Sequence, residues 1–210
     1  GQFGDSLSLS ADRTVVAIGD GLNDNSGQNS GRVRVYKYHL KDTSLDWHPQ
    51  GDNIEGEAAG DGSGRDLSLS ADGSVVAIGA RFNNPDPDQT EKKAGHVRVY
   101  KYNPAKTVAN LDDQTAADYG PVGWDRLGAD IDGDLSDHTD APGNSNWASG
   151  LSLSNDGFVV AIGNPFTDTN GANLGQVRIY QYDPSKTQED GNGPTGWNRI
   201  GQDIYGESVS

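Results

Sequence analysis

The sequence predicts an all-β protein built from three copies of one four-stranded unit. Three observations support this prediction. A Leu-Ser-Leu-Ser segment occurs three times, an apolar Val-Val-Ala-Ile-Gly run follows each copy, and a block that alternates Val or Ile with Arg and Tyr comes next. The first segments begin at Leu7, Leu67 and Leu151. Self-similarity of this kind is the signature of a repeat architecture.

The first two strands of each unit are predicted to form a hairpin. Asp72-Gly73 and Asp156-Gly157 stand between them in the second and third copies, and such a dipeptide favours a tight turn. Arg13 replaces this glycine in the first copy. We therefore expect a looser turn, or one of another type, at Arg13.

The third and fourth blocks identify the architecture. The second strand is apolar throughout, and in the third strand Val33 and Val35 face one side while Tyr36 and Tyr38 face the other. Sheets that carry packing residues on both faces need a neighbour on each side, which the blades of a β-propeller have. A tryptophan marks the fourth strand in each copy and is expected in the blade core, at Trp47, Trp124 and Trp197.

The repeats also predict the domain boundaries. We expect blades at residues 1–57, 58–134 and 135–204, with the start of a further blade at 205–210. Three blades cannot close a ring, so the chain is expected to be part of a larger propeller. The alternative is an open array whose end blades pair with another molecule, because unpaired sheet edges accept added strands.

Charge and composition exclude several classes of partner. The 210 residues include 31 acidic and 16 basic side chains, which gives a net charge of -15. Such a surface repels phosphate groups and anionic lipids, so we expect neither nucleic-acid binding nor membrane insertion. The chain contains no cysteine, which excludes disulfides, zinc thiolates and thiol nucleophiles.

The repeat resembles a known family. The segments Phe3 to Ser10, Ala17 to Gly19 and Gly31 to Tyr36 look like an FG-GAP repeat, the unit of the integrin α-subunit propeller and of many bacterial and algal surface proteins. The resemblance spans nearly the whole chain, although Ser63-Gly64 and Trp147-Ala148 replace the opening Phe-Gly in the later copies. It implies a propeller of about seven blades and a role at the cell surface.

The family's calcium site does not carry over to this sequence. Members of the family hold Ca²⁺ in an Asp-rich loop between the first two strands. The turns at Asp12, Asp72 and Asp156 offer one carboxylate each and are too short to wrap an ion that needs six or more oxygens. We interpret them as hairpin turns.

A second segment is a better candidate for binding Ca²⁺. Carboxylates stand at alternate positions after the fourth strand of the second copy, at Asp130, Asp132 and Asp134, and Asp137 lies just beyond. This spacing is similar to the opening of a calcium loop. The alternative is a solvated turn between blades, because the other copies also carry polar residues at these places.

Loops that follow the second strands are the other candidate site, since such loops gather on one rim of a propeller. In the first of them, Asp20, Asn23, Asp24 and Asn25 could coordinate an ion or bind a sugar, or they could serve to shape the loop. Trp147 lies outside the repeat pattern, which makes it an aromatic candidate for contacting a ligand or partner.

These features favour a binding protein over an enzyme. The histidines His39, His48, His96 and His138 occupy unrelated positions, and no nucleophile motif occurs. We expect a non-enzymatic binding or adhesion module, extracellular or at the cell surface, with a protein or glycan partner. The alternatives are a structural repeat protein of a surface layer or filament, which self-associates through its blades, and a calcium-dependent carbohydrate-binding propeller.

Overall fold

The computed structural model describes residues 1–41, 43–84, 94–107, 120–133, 147–167 and 174–207. Within these residues the protein is all-β, with three antiparallel sheets of the same topology. In each sheet the first three strands follow one another in space, and the fourth strand pairs with the third in two short pieces. The predicted all-β architecture of three four-stranded, blade-like repeats is confirmed. The part of the chain described contains no helix long and apolar enough to cross a membrane.

The three sheets each contain five strand segments. The first comprises β1 (Ser6–Leu9), β2 (Val15–Asp20), β3 (Arg32–Lys41), β4 (Ser44–Pro49) and β5 (Ile54–Glu55). The second comprises β6 (Asp66–Leu69), β7 (Val75–Ala80), β8 (His96–Tyr102), β9 (Trp124–Arg126) and β10 (Ile131–Asp132). The third comprises β11 (Gly150–Leu153), β12 (Val159–Asn164), β13 (Gln176–Tyr182), β14 (Trp197–Arg199) and β15 (Ile204–Tyr205).

A glycine in the left-handed region interrupts the fourth strand of every sheet. Gly51, Gly128 and Gly201 have φ angles of 72°, 67° and 70°, which no extended strand can accommodate. The two halves of the strand therefore pair separately with the third strand: Tyr38 faces Trp47, and Val33 faces Ile54. The sequence predicted four strands in each unit, and the glycine divides the fourth of them into two segments.

The first hairpin turn is the same in all three sheets. In the first sheet the Ser10 hydroxyl donates to Asp12 at 2.7 Å, and the same oxygen accepts the Val15 amide at 2.9 Å. Arg13 takes a left-handed φ of 66°, close to the 70° of Gly73. The prediction of a looser turn at Arg13 is wrong, because the hydrogen bonds made by Ser10 and Asp12 hold the turn in one conformation.

Apolar side chains join each sheet to the next. We call the side of a sheet that faces the preceding sheet its leading face, and the opposite side its trailing face. At the first junction the trailing face of the first sheet packs on the leading face of the second, and the buried residues are Val15, Ala17, Val33, Val35 and Ile54 on one side and Leu67, Leu69, Val76, Ile78, Tyr100 and Trp124 on the other.

The second junction repeats this arrangement. The trailing face of the second sheet supplies Val75, Ala77, Val97, Val99, Leu127 and Ile131, and the third sheet supplies Trp147, Ala148, Val160, Ile162, Tyr180 and Trp197. Hydrogen bonds also join the first strands of successive sheets. The Leu69 amide donates to Ser8 Oγ and the Leu153 amide donates to Ser68 Oγ, each at 3.0 Å. Successive sheets are thus related by one packing rule.

Trp47 departs from the predicted core role. Trp124 and Trp197 are completely buried, as expected, whereas Trp47 is 40% exposed. Trp47 lies on the leading face of the first sheet, where it contacts Tyr38 of its own sheet and no other described sheet packs on it. Its burial depends on a neighbouring sheet and not on its own strand.

Candidate functional site

The predicted rim residues of the first sheet lie together in the loop after β2. Asp20 is buried, accepts hydrogen bonds from the Gln2 amide and from Asn23 Nδ2 (3.1 Å), and faces Arg32 across 3.6 Å. The Asn23 side chain accepts the Asn25 amide at 3.0 Å. These contacts shape the loop, so Asp20 and Asn23 already have internal partners.

The outer part of the same loop is more exposed. Asp24 Oδ1 accepts the Asn29 amide at 2.7 Å, and Asn29 has a left-handed φ of 54°. The side chains of Asp24 and Asn25 are exposed. Asp24 and Asn25 are therefore the two predicted rim residues that present polar groups to solvent.

Trp147 lies inside the protein. It is completely buried at the junction of the second and third sheets, its Nε1 donates to the Ile131 carbonyl at 3.2 Å, and the guanidinium of Arg178 stacks 5.2 Å from its ring centroid. This position leaves Trp147 no surface to offer a ligand. It occupies the place of Phe3 in the first copy, which shows that it belongs to the repeat after all.

Asp130 is held by two arginines. Arg98 Nε donates to Asp130 at 2.6 Å, and Arg126 forms a second ion pair with it, also at 2.6 Å. Burial opposes ionisation of Asp130, but the hydrogen bond from Arg98 and the surrounding positive charge outweigh it and hold its pKa below the ordinary value. The third sheet repeats this cluster, with Asp203 between Arg178 and Arg199.

His96 and Glu57 complete a cluster around Asp130. One nitrogen or oxygen atom from each of these three side chains lies within 4.8 Å of the others, which is a spacing suited to a metal ion. Arg98, however, also forms an ion pair with Glu57 and so bridges the first and second sheets. The guanidinium thus neutralises both carboxylates, and a cation would have to displace it.

A cavity of about 650 Å³ lies beside Asp130, between residues of the second and third copies. The charged side chains that line it come from two sheets and include Arg126, Asp130, Asp132, Arg178, Glu189, Asp190 and Arg199. Arg126 pairs with Asp130, and Arg199 pairs with Asp203. The cavity is therefore polar and carries charges of both signs.

Asp132 and Asp130 are the two described members of the predicted calcium site, and both line this cavity. Crowding by protein atoms, followed by the negative charge of Asp130, raises the pKa of Asp132 to about 6, although its side chain retains contact with solvent. The charge of Glu189 acts in the same direction. No described residue forms an ion pair with Asp132 or Glu189. The predicted ligands Asp134 and Asp137 lie outside the described residues.

Sequence reasoning did not identify the third-sheet side of the cavity. Glu189 and Asp190 lie in the long link between β13 and β14, where Asp190 pairs with Lys186 at 2.6 Å. The extra length of residues 183–196 was the available signal, because the links between the third and fourth strands differ in length from copy to copy. Spacing within a copy cannot show that this link meets Asp132 of another copy.

Comparison with known proteins assigns no family. No family model matches the chain, and a search of curated proteins finds no match. The repeated sheets and the cavity at the second junction therefore have to be interpreted from their own chemistry.

Proposed function

We propose that this protein is a non-enzymatic binding or adhesion module, extracellular or at the cell surface, that holds part of a protein or glycan partner in the cavity at the second junction. The cavity itself is the observation that supports this proposal. Its volume of about 650 Å³ is in the range of ligand sites, and residues of the second and third copies line it.

The charges of the cavity favour a partner with hydroxyl or cationic groups. Asp132 and Glu189 are carboxylates that no described residue pairs with, whereas Asp130 and Asp190 are matched by Arg126 and Lys186. Unpaired carboxylates accept hydrogen bonds from sugar hydroxyls and from lysine ammonium groups. A carbohydrate or a lysine-bearing protein segment suits this lining.

We further propose that the repeats are of the FG-GAP kind and belong to a propeller of about seven blades. The common strand order of the three sheets and their single packing rule support this assignment. The surface location is proposed on the same resemblance. Calcium-dependent carbohydrate binding is a narrower form of the same proposal, and a calorimetric titration of Ca²⁺ into chelator-treated protein tests it.

Binding to arrays of glycans and of extracellular matrix proteins tests the proposed function. The cavity variant combines Asp132→Asn and Glu189→Gln, and a control of equal charge combines Asp5→Asn and Asp52→Asn in the first sheet. We expect the unchanged protein and the control to bind the same ligand and the cavity variant to lose at least tenfold in affinity, about 1.4 kcal/mol. Equal binding by both variants, or no binding by the unchanged protein, would contradict the proposal.

A further inference from the structure

Two apolar faces remain uncovered at opposite ends of the described stack. On the leading face of the first sheet, Leu9 is 53% exposed, whereas its equivalent Leu69 is 7% exposed at the first junction. On the trailing face of the third sheet, Ile204 is 58% exposed, whereas its equivalent Ile131 is 1% exposed at the second junction. Each uncovered face thus repeats residues that are buried inside the chain.

The internal junctions show what each face accepts. At the second junction Trp197 packs over Gly128, and Leu153 donates a hydrogen bond to Ser68 Oγ. The leading face of the first sheet carries the same tryptophan, at Trp47. The trailing face of the third sheet carries the matching glycine, Gly201, where an added Cβ would meet no atom within 4 Å beyond its chain neighbours.

Polar groups at the two ends are complementary as well. Across the first junction Glu57 of the first sheet pairs with Arg98 of the second. Glu207 stands at the place of Glu57 at the end of the third sheet, and Arg34 stands at the place of Arg98 in the first sheet. Arg34 Nε is buried and has no hydrogen-bond partner among the described residues.

We propose that two copies of this chain associate head to tail, with the leading face of the first sheet of one copy packed on the trailing face of the third sheet of the other. In this contact Trp47 covers Gly201, the Leu9 amide donates to Ser152 Oγ, and Glu207 pairs with Arg34. The two faces match in the same residues that already join the sheets within the chain, so a second copy supplies the contacts that further blades would supply in the larger propeller proposed above. The association does not rest on the proposed binding function.

The contact is heterologous, since two different faces meet. Each added copy exposes the same pair of faces again, so association continues until a ring closes or a filament grows. The assembly is therefore expected to depend on protein concentration and to pass beyond a dimer.

Arg13 is a mismatch in this contact. A Cβ atom added to Gly73 or to Gly157 would lie 2.5 Å from the Cβ of Val15 or Val75 in the preceding sheet. Arg13 stands at this glycine position and would face Val159 of the second copy. The turn that contains Arg13 must therefore shift when the copies associate, and this shift weakens the contact.

Sedimentation equilibrium over a range of concentrations tests the proposal. We expect the mean mass of the unchanged protein to rise with concentration to more than twice the mass of the chain. Leu9→Asp blocks one face and Ile204→Asp blocks the other, so each variant alone should remain a monomer. Both side chains are exposed in the monomer, and circular dichroism should show that both variants keep the fold.

Mixing the two variants provides the decisive measurement. Leu9→Asp retains a competent trailing face and Ile204→Asp retains a competent leading face, so an equimolar mixture should form a dimer that cannot grow. Arg13→Gly should tighten association of the otherwise unchanged protein by on the order of tenfold. Phe166→Asp, in the loop after β12 and outside both faces, should leave association unchanged.

Three results would contradict the head-to-tail association. If the unchanged protein stays monomeric up to its solubility limit, the proposal is overturned, because the two faces then do not bind each other. Association that survives both Leu9→Asp and Ile204→Asp would show that another surface is responsible. A mixture of the two variants that remains monomeric would also contradict the head-to-tail contact.

Discussion

At the scale of single residues, His96 makes the stability of the protein sensitive to acid. The ring is 4% exposed at the start of β8 and faces Asp130, Glu57, Arg98 and Arg126. Burial lowers the pKa of His96 to about 4 from its ordinary 6.5. The unfolded chain therefore binds a proton more readily than the folded protein, and the free energy of unfolding falls as the pH drops from about 6.5 towards 4.

The third copy suggests the variant that tests this effect. Gln176 stands at the position of His96 and is equally buried, so His96→Gln places a neutral, polar side chain there. Between about pH 7.5 and pH 5, the unchanged protein should lose about 2 kcal/mol more of its unfolding free energy than the variant. Urea unfolding at the two pH values measures this difference. An equal loss in both proteins would show that His96 is not buried in its neutral form.

The turn at Arg13 shows how side chains can override a backbone preference. A left-handed conformation costs a residue with a Cβ roughly 1–2 kcal/mol, which is why the sequence predicted another turn there. Hydrogen bonds from Ser10, and then from the Thr14 amide and hydroxyl, lower the pKa of Asp12 to about 2. The network around Asp12 favours one turn conformation whatever residue follows.

At the scale of secondary structure, a ladder of serines joins the first strands of successive sheets. Ser68 Oγ accepts the Leu153 amide at 3.0 Å across the second junction. Ser68→Ala removes the acceptor of a partly buried amide, so we expect the unfolding free energy to fall by about 1 kcal/mol.

Ser152→Ala is the matched control for this ladder. Ser152 has the same place in the third sheet but is exposed there. Its replacement should change the unfolding free energy of dilute protein by less than about 0.5 kcal/mol. Thermal and urea unfolding measure the stabilities of the two variants. Equal stabilities would contradict a stabilising role for the Ser68 hydrogen bond.

The strands themselves were predictable because the repeat displays each pattern three times. The alternation along the third strand predicted that Val33 and Val35 lie on one face of the sheet and Tyr36 on the other. The pairing of β3 with β2 agrees with this alternation. The break in the fourth strand was not predictable, because a glycine after a tryptophan does not reveal its φ angle. The prediction that Trp147 contacts a ligand or partner was wrong for another reason. The copies carry different residue types at this position, so its place in the repeat was not apparent.

At the scale of the whole molecule, the candidate site depends on how the copies meet. Asp130 and Asp132 were recognised from their alternate spacing, but the arginine partners of Asp130 come from β8 and β9. Glu189 reaches the cavity from the next copy. A sequence without its packing gives no distances between copies, which is why the cavity could not be inferred from it.

One packing rule joins the described sheets, in which Trp124 of the second sheet lies on Gly51 of the first and Trp197 of the third lies on Gly128 of the second. Gly128 and Gly201 have the same left-handed backbone, at φ 67° and 70°. A Cβ added to Gly128 would lie 2.6 Å from Trp197 Nε1, whereas none of the atoms around Gly201 lies within 4 Å of such a Cβ. Alanine at either position therefore carries the same backbone strain, and only Gly128→Ala disturbs a junction.

Urea unfolding of dilute Gly128→Ala and Gly201→Ala proteins tests this claim most directly. We expect both variants to lose about 1–2 kcal/mol through backbone strain, and Gly128→Ala to lose a further 1–3 kcal/mol, roughly, because Trp197 must move. Equal losses in the two variants would contradict the packing of the third sheet on the second.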